Sequence, residues 1–389
     1  MSRMSLRAGR WLAPFAALWP FAADAHIQWF ANVDLSGDPR TPWEVMSVPS
    51  FAGLAVLAMV VLALAGVVDA WLTRMAPRHA LLARVHGYDV RSGGLTLLRL
   101  GMAAFFVANV IYFRDAPVIL TPELKTASWW PDVIQLAIAA ACVLGRMRLA
   151  AAGLVLLFGY GALNYGLFHL SEYPVFLGIA AYFALAGISP QWRVRATTIL
   201  RVSVALSLMW GGVEKWLFPQ WTYPLLCGSG KALTMGLPPD FFMQAAGFIE
   251  FCLSFVVVIG SVAARVAALA INVVFVAAMP MFGMVDVIGH TPFMLALIVL
   301  ARSPNWLAPV VGHAAPRAQG LRWGATFAAT LMGLPALYFV THEFAFGRMR
   351  LAPTETDLAI ALPILGLVGI AVSWLLTRYD GERHMGGAA

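Results

Sequence analysis

Charge is scarce in this sequence: Asp, Glu, Lys and Arg make up 12% of its 389 residues, against 61% for the apolar and aromatic types. Soluble domains carry about a quarter of charged residues, so the chain reads as an integral membrane protein. Cysteine is scarcer still. Cys142, Cys227 and Cys252 show no CxxC spacing, which excludes a disulfide framework and a cysteine-ligated cluster. There is no GxSxG elbow, P-loop, GxGxxG after a strand or HExxH. No long hydrophilic domain and no internal repeat are present, so any reaction is expected at or within the membrane. The net charge of +7 does not imply a nucleic-acid partner, because the arginines sit in short clusters beside apolar spans and read as topology signals.

At the start of the chain, Arg3, Arg7 and Arg10 precede an apolar stretch from Trp11 to Ala23, and Ala23-Asp24-Ala25 supplies the small residues of a cleavage site. Residues 1–25 are therefore expected to be a signal peptide, with His26 as the mature N-terminus. A free N-terminal histidine offers its α-amine and imidazole Nδ1 to one metal ion, a chelate that suits copper. The bland alternative is a histidine that merely follows the cleavage site.

A helix needs roughly 20 apolar residues to cross a hydrocarbon core. Eleven spans are expected, near Phe51–Leu72, Leu95–Phe113, Val133–Leu144, Leu149–Leu167, Val175–Ile188, Ile199–Trp216, Phe242–Ile259, Val266–Phe282, Thr291–Leu300, Gly324–Val340 and Leu358–Leu376. Arginine is in excess on alternate connections, among them Arg74 to Arg91, Arg146 and Arg148, and Arg193 and Arg195. The positive-inside rule then puts the N-terminus in the periplasm and the C-terminus in the cytoplasm. The expected plan is all-α: a periplasmic segment 26–50, a polytopic domain 51–378 in a bacterial inner membrane and a cytoplasmic tail 379–389. The apolar connection Leu225–Pro239, with its glycines and prolines, is expected to dip back into protein at membrane depth.

Ionisable residues sort by side. His169, Glu172, Glu214, Lys215, Asp286, His290, His342 and Glu343 fall at the outer ends of spans, and Glu250 lies inside the seventh. A carboxylate at membrane depth costs a few kcal/mol unless partnered, and Lys215 is the preferred partner of Glu250. Asp286 and His290 share a face if their segment is helical. Against this stand the ordinary roles: Lys215 snorkelling to the interface, Glu250 as a structural hydrogen-bond partner, and each histidine as a loop residue. Spacing alone does not make these helices converge.

The segment RVSVALSLMWGGVEKWLFPQWTYP, Arg201 to Pro224, resembles the DoxX family of small bacterial membrane proteins. The resemblance covers about residues 195–302 and implies a four-helix unit linked to quinone or thiol redox chemistry. Within it, GGVEKWLFPQW is similar to a pattern in the vitamin K-dependent carboxylase and related horizontally transferred transmembrane proteins, which implies Lys215 as a base on a hydroquinone. The large luminal domain of those carboxylases is lacking, so quinone contact is implied and carboxylation is not. The leading expectation is a quinone-linked redox protein in which Glu214, Lys215 and Glu250 transfer protons and Trp216, Trp221 and Asp286 contact the quinone. The second is a copper-handling protein using His26 with His169, His290 or His342, served by a periplasmic redox or copper partner protein. The third is a proton-coupled transporter with Glu250 and Asp286 on the substrate path.

Overall fold

The structure is a computed structural model, described here for Trp29 and residues 37–75, 93–228, 231–305 and 315–347. The signal peptide, His26, the eleventh span and the C-terminal tail lie outside these residues. The described residues are helical and form no named strand, with one isolated antiparallel bridge between Val118 and Lys125. In chain order the helices are α1 (Pro42–Ser47), α2 (Pro49–Met75), α3 (Gly93–Tyr112), α4 (Trp130–Val143), α5 (Met147–Tyr165), α6 (Leu167–Leu170), α7 (Pro174–Leu185), α8 (Pro190–Leu217), α9 (Pro219–Cys227), α10 (Pro239–Ile259), α11 (Val262–Ala301) and α12 (Pro316–Ala345). Seven of them, α2, α3, α5, α8, α10, α11 and α12, are long and apolar enough to cross a membrane. The chain is thus an all-α, multi-pass membrane protein in a lipid bilayer. Helices α4 and α7 are apolar but short.

Burial separates the helices into a centre and a rim. The most apolar windows of α8 and α10 are 78% buried, whereas that of α2 is 17% buried. Helix α2 turns Val56, Leu57, Val60, Val61, Leu64 and Val68 outward and keeps Phe51, Leu62 and Gly66 inside. In lipid, where no hydrophobic force holds one helix to another, small residues supply the close packing. A methyl group at Gly66 would lie 2.8 Å from the Trp323 ring of α12, and one at Gly320 would lie 2.6 Å from the Ala63 carbonyl oxygen of α2.

The same device joins α8 to α10. A Cβ at Gly212 would lie 3.1 Å from the Gly247 carbonyl oxygen, and one at Gly247 would lie 2.9 Å from that of Gly212. Trp216 Nε1 donates to the Gln244 carbonyl at 3.3 Å, and Arg201 Nη1 to that of Val257 at 2.9 Å. As residue numbers rise along one helix they fall along the other, so the pair is antiparallel.

Helix α11 is broken at Gly283, whose φ of 70° lies in the left-handed region that glycine adopts without penalty. A straight helix would hold Phe275 and His290 roughly 22 Å apart; their rings instead stack with centroids 4.2 Å apart. The chain therefore doubles back at Gly283, and Val262–Ala301 is a helical hairpin. The eighth and ninth expected spans fall on its two limbs.

The connection from α8 to α10 is largely helical. Prolines at 219 and 239 start helices, where their missing N–H has no helical role, and α9 with a one-turn 3-10 helix, Lys231–Thr234, occupies most of the connection. Leu226 and Trp221 are buried, while Met235 and Leu237 are exposed.

Candidate functional site

At the end of the bundle opposite the arginine clusters, most of the polar side chains singled out from the sequence gather in buried pairs. The glycine contact between α8 and α10 sets its centre. Side chains of a helix lean towards its N-terminus, so Lys215 folds back along α8, donates to the Gly211 carbonyl at 3.2 Å and reaches Glu250 Oε2 at 2.7 Å. Lys215 and Glu250 are each 5% exposed. Glu250 Oε1, also buried, has no hydrogen-bond partner among the described residues.

Glu214 precedes Lys215 on α8 and is buried too. Its side chain neighbours that of Glu172, just before α7, and lies within electrostatic reach of Lys215, Glu123 and His169.

A second chain of contacts runs through the α3–α4 connection. The Glu123 side chain there is 5% exposed, and its neighbours Val118, Ile119, Leu120 and Leu124 are buried in the core. Asn109 Nδ2 donates to the Leu120 carbonyl at 3.2 Å and Gln135 Nε2 to that of Val118 at 2.6 Å, which pins the connection down. Glu123 Oε1 meets His169 Nε2 at 3.0 Å and accepts the Tyr173 hydroxyl. Glu123 Oε2 and His169 Nδ1 are buried without hydrogen-bond partners among the described residues. Burial first, then the charges of Glu123 and Glu172, holds the Tyr173 phenol well above its ordinary value.

Trp29 links this chain to the α11 hairpin. Its Nε1 reaches the Tyr173 hydroxyl at 3.4 Å, and its ring sits 4.9 Å from that of His290. Gly289 leaves room for it, since a side chain there would collide with the indole. His290 Nδ1 lies 3.1 Å from Asp286 Oδ1, the one-turn spacing read from the sequence, and Glu250 is within electrostatic reach of His290. His342 Nδ1 lies 3.2 Å from Glu343 Oε1 and packs among the rings of Phe168, Phe218 and Phe346.

Each of the three outer histidines in the described residues therefore has its own carboxylate: Glu123 for His169, Asp286 for His290 and Glu343 for His342. Among the described residues no three His, Cys, Asp or Glu side chains are placed to hold one metal ion. Trp216 and Trp221 are core residues. Trp216 is 2% exposed against Phe51, Phe248 and Phe251, and Trp221 stacks on Phe218 at 4.0 Å. A cavity of about 10 Å³ between Arg40, Asp240, Gln244 and Lys215 reaches the cluster, with room for about one water molecule.

Glu123, Tyr173 and Trp29 were not singled out from the sequence. The one local signal for Glu123 is the apolar run Val118–Leu120 with Leu124, unusual for a connection that lies in water. Searches find no protein-family model, curated protein or solved structure that matches this chain. None of these comparisons identifies a DoxX-like family.

Proposed function

We propose that this chain is a proton-handling protein of a bacterial inner membrane, in which Lys215, Glu250 and the Glu172–Glu214 pair exchange protons at the periplasmic end of the bundle. The observation that carries the reading is the Lys215–Glu250 contact at 2.7 Å, deeply buried and with Glu250 Oε1 unpartnered among the described residues. A buried ion pair contributes little net stability compared with apolar packing, and ionisable groups at membrane depth mark proton and ion paths. The small cavity beside Lys215 gives the pair a route to Arg40 and Asp240.

In this reading the protons serve a quinone-linked redox step, following the resemblance of residues 201–224. The cavity at Lys215 admits a water and not a ring, so the lysine relays a proton and does not touch the quinone. The hairpin at Gly283 supports the eighth and ninth crossings of an eleven-span map with a periplasmic N-terminus and a cytoplasmic C-terminus.

The test is infrared difference spectroscopy of the protein in lipid during a pH jump, followed by proton release in liposomes on adding oxidised and reduced quinones. The expected result is a carboxyl band that Glu250→Gln or Glu214→Gln removes. Bands unchanged in both variants would overturn the proton reading; proton exchange indifferent to the redox state of the quinone would leave the quinone part without support.

A further inference from the structure

At the arginine-rich end the structure holds a pocket of about 540 Å³ that the proton cluster does not use. It lies where the α4–α5 turn meets the first turn of α3 and the last turn of α7. Leu95, Leu149, Phe183 and Ile188 form its apolar wall, and Arg146 and Arg148 its charged edge. The volume falls in the range of small-molecule sites, about 300–1,000 Å³.

The arginines are held by the backbone. Gly145 takes a φ of 72°, closing the turn tightly enough for Arg146 N–H to bond the Ala141 carbonyl at 2.8 Å. A third arginine backs the same turn: a methyl group on Gly145 would lie 3.1 Å from Arg99 Nη1. Arg99 Nε is buried with no hydrogen-bond partner among the described residues. Helix α5, of 19 residues, begins here with Arg146 as its N-cap and no side-chain cap. Its first amides, those of Met147 and Arg148, lack helical partners, and the positive end of its dipole points the same way.

We infer that this pocket binds the phosphate headgroup of an anionic phospholipid, with the acyl chains lying along the Leu95–Phe183–Ile188 wall. Guanidinium groups match phosphate oxygens with paired hydrogen bonds, and an uncapped helix start adds further donors. A free anion would use the arginines but not the apolar wall; a zwitterionic lipid would use the wall but gain less from the charge. Basic pockets between membrane helices are places where anionic headgroups settle.

Native mass spectrometry of the full chain in detergent, titrated separately with phosphatidylglycerol, phosphatidylcholine and inorganic phosphate, tests this. Phosphatidylglycerol is expected to stay bound and phosphatidylcholine to bind at least tenfold more weakly. Arg146→Gln with Arg148→Gln should weaken phosphatidylglycerol about tenfold. Gly187→Leu supplies an arm that leaves the arginines intact, because a side chain at this pocket-lining glycine meets open space and fills the apolar part. It should weaken lipid binding while the thermal midpoint of the lipid-free protein stays put. Equal retention of the two lipids, unchanged binding in Gly187→Leu, or displacement of phosphatidylglycerol by equimolar phosphate would overturn the inference.

Discussion

The two ends of the bundle bury charge in opposite ways. At the arginine-rich end, Arg201 is 1% exposed and donates to the carbonyls of Val257, Leu300 and Ser303, near the last turns of α10 and α11. Asp69, at 3% exposure, accepts from Ser261 N–H at 2.9 Å and Ala263 N–H at 2.7 Å, where α11 begins. The carbonyl and N–H groups among their partners never titrate, and the charges finish helix ends that would otherwise be left open. At the other end Lys215 faces Glu250, His169 faces Glu123 and Glu214 faces Glu172, so each partner is itself able to gain or lose a proton. Burial alone does not distinguish a fastening from a working site; the nature of the partner does.

The sharpest way to break that comparison is at Lys215. Lys215→Met leaves Glu250 buried with no counter-charge and should cost about 3–5 kcal/mol in unfolding free energy. Adding Glu250→Gln should recover a large part of that loss, and strict additivity in the double-mutant cycle would show that the two residues are not coupled. Arg201→Met should cost about 2–3 kcal/mol, since three carbonyls lose a charged donor. Because those acceptors do not titrate, the loss should be the same at mildly acid and neutral pH, and a strong pH dependence over that range would erase the distinction between the ends. Asp69→Asn, which keeps one acceptor for the start of α11, should cost about 1 kcal/mol.

Tyr173 gives a comparably small effect, and the one with a sign to check. Its phenol is held above the ordinary value of about 10, so the folded state binds that proton more tightly than the unfolded chain. The resulting stability is fully present below about pH 10 and is lost as the pH rises beyond it. Tyr173→Phe should therefore flatten the alkaline fall of the thermal midpoint, at a neutral-pH cost of about 1 kcal/mol because Glu123 Oε1 loses the hydroxyl donor. An alkaline limb equally steep in the variant would contradict this.

What was legible in the sequence followed local rules. The Asp286–His290 spacing needs only a helix, and the Lys215–Glu250 pairing follows from the cost of a lone carboxylate among apolar neighbours. The long spans are visible because lipid imposes a length, but two of them start two turns or more earlier than expected, where Pro190 and Pro316 fix a first turn. Glu123 and Tyr173 stayed hidden because their burial depends on how a connection folds onto α3 and α4. The carboxylate that serves His169 was equally out of reach, since His169 finds Glu123 across 46 residues of chain. Trp216, expected to contact a quinone, is 2% exposed in the core, because the glycine contact of α8 with α10 draws it inward.

Trp29 puts a clock on assembly. It reaches the Tyr173 hydroxyl across 144 residues and packs on His290, farther still along the chain. At a synthesis rate of about 5–20 residues per second, Tyr173 is made roughly 7–30 seconds after Trp29, and His290 later again. The earliest-made part of the cluster must therefore wait for its last-made wall, and a nascent chain halted between the fifth and ninth spans would carry that indole without the His290 ring it packs against.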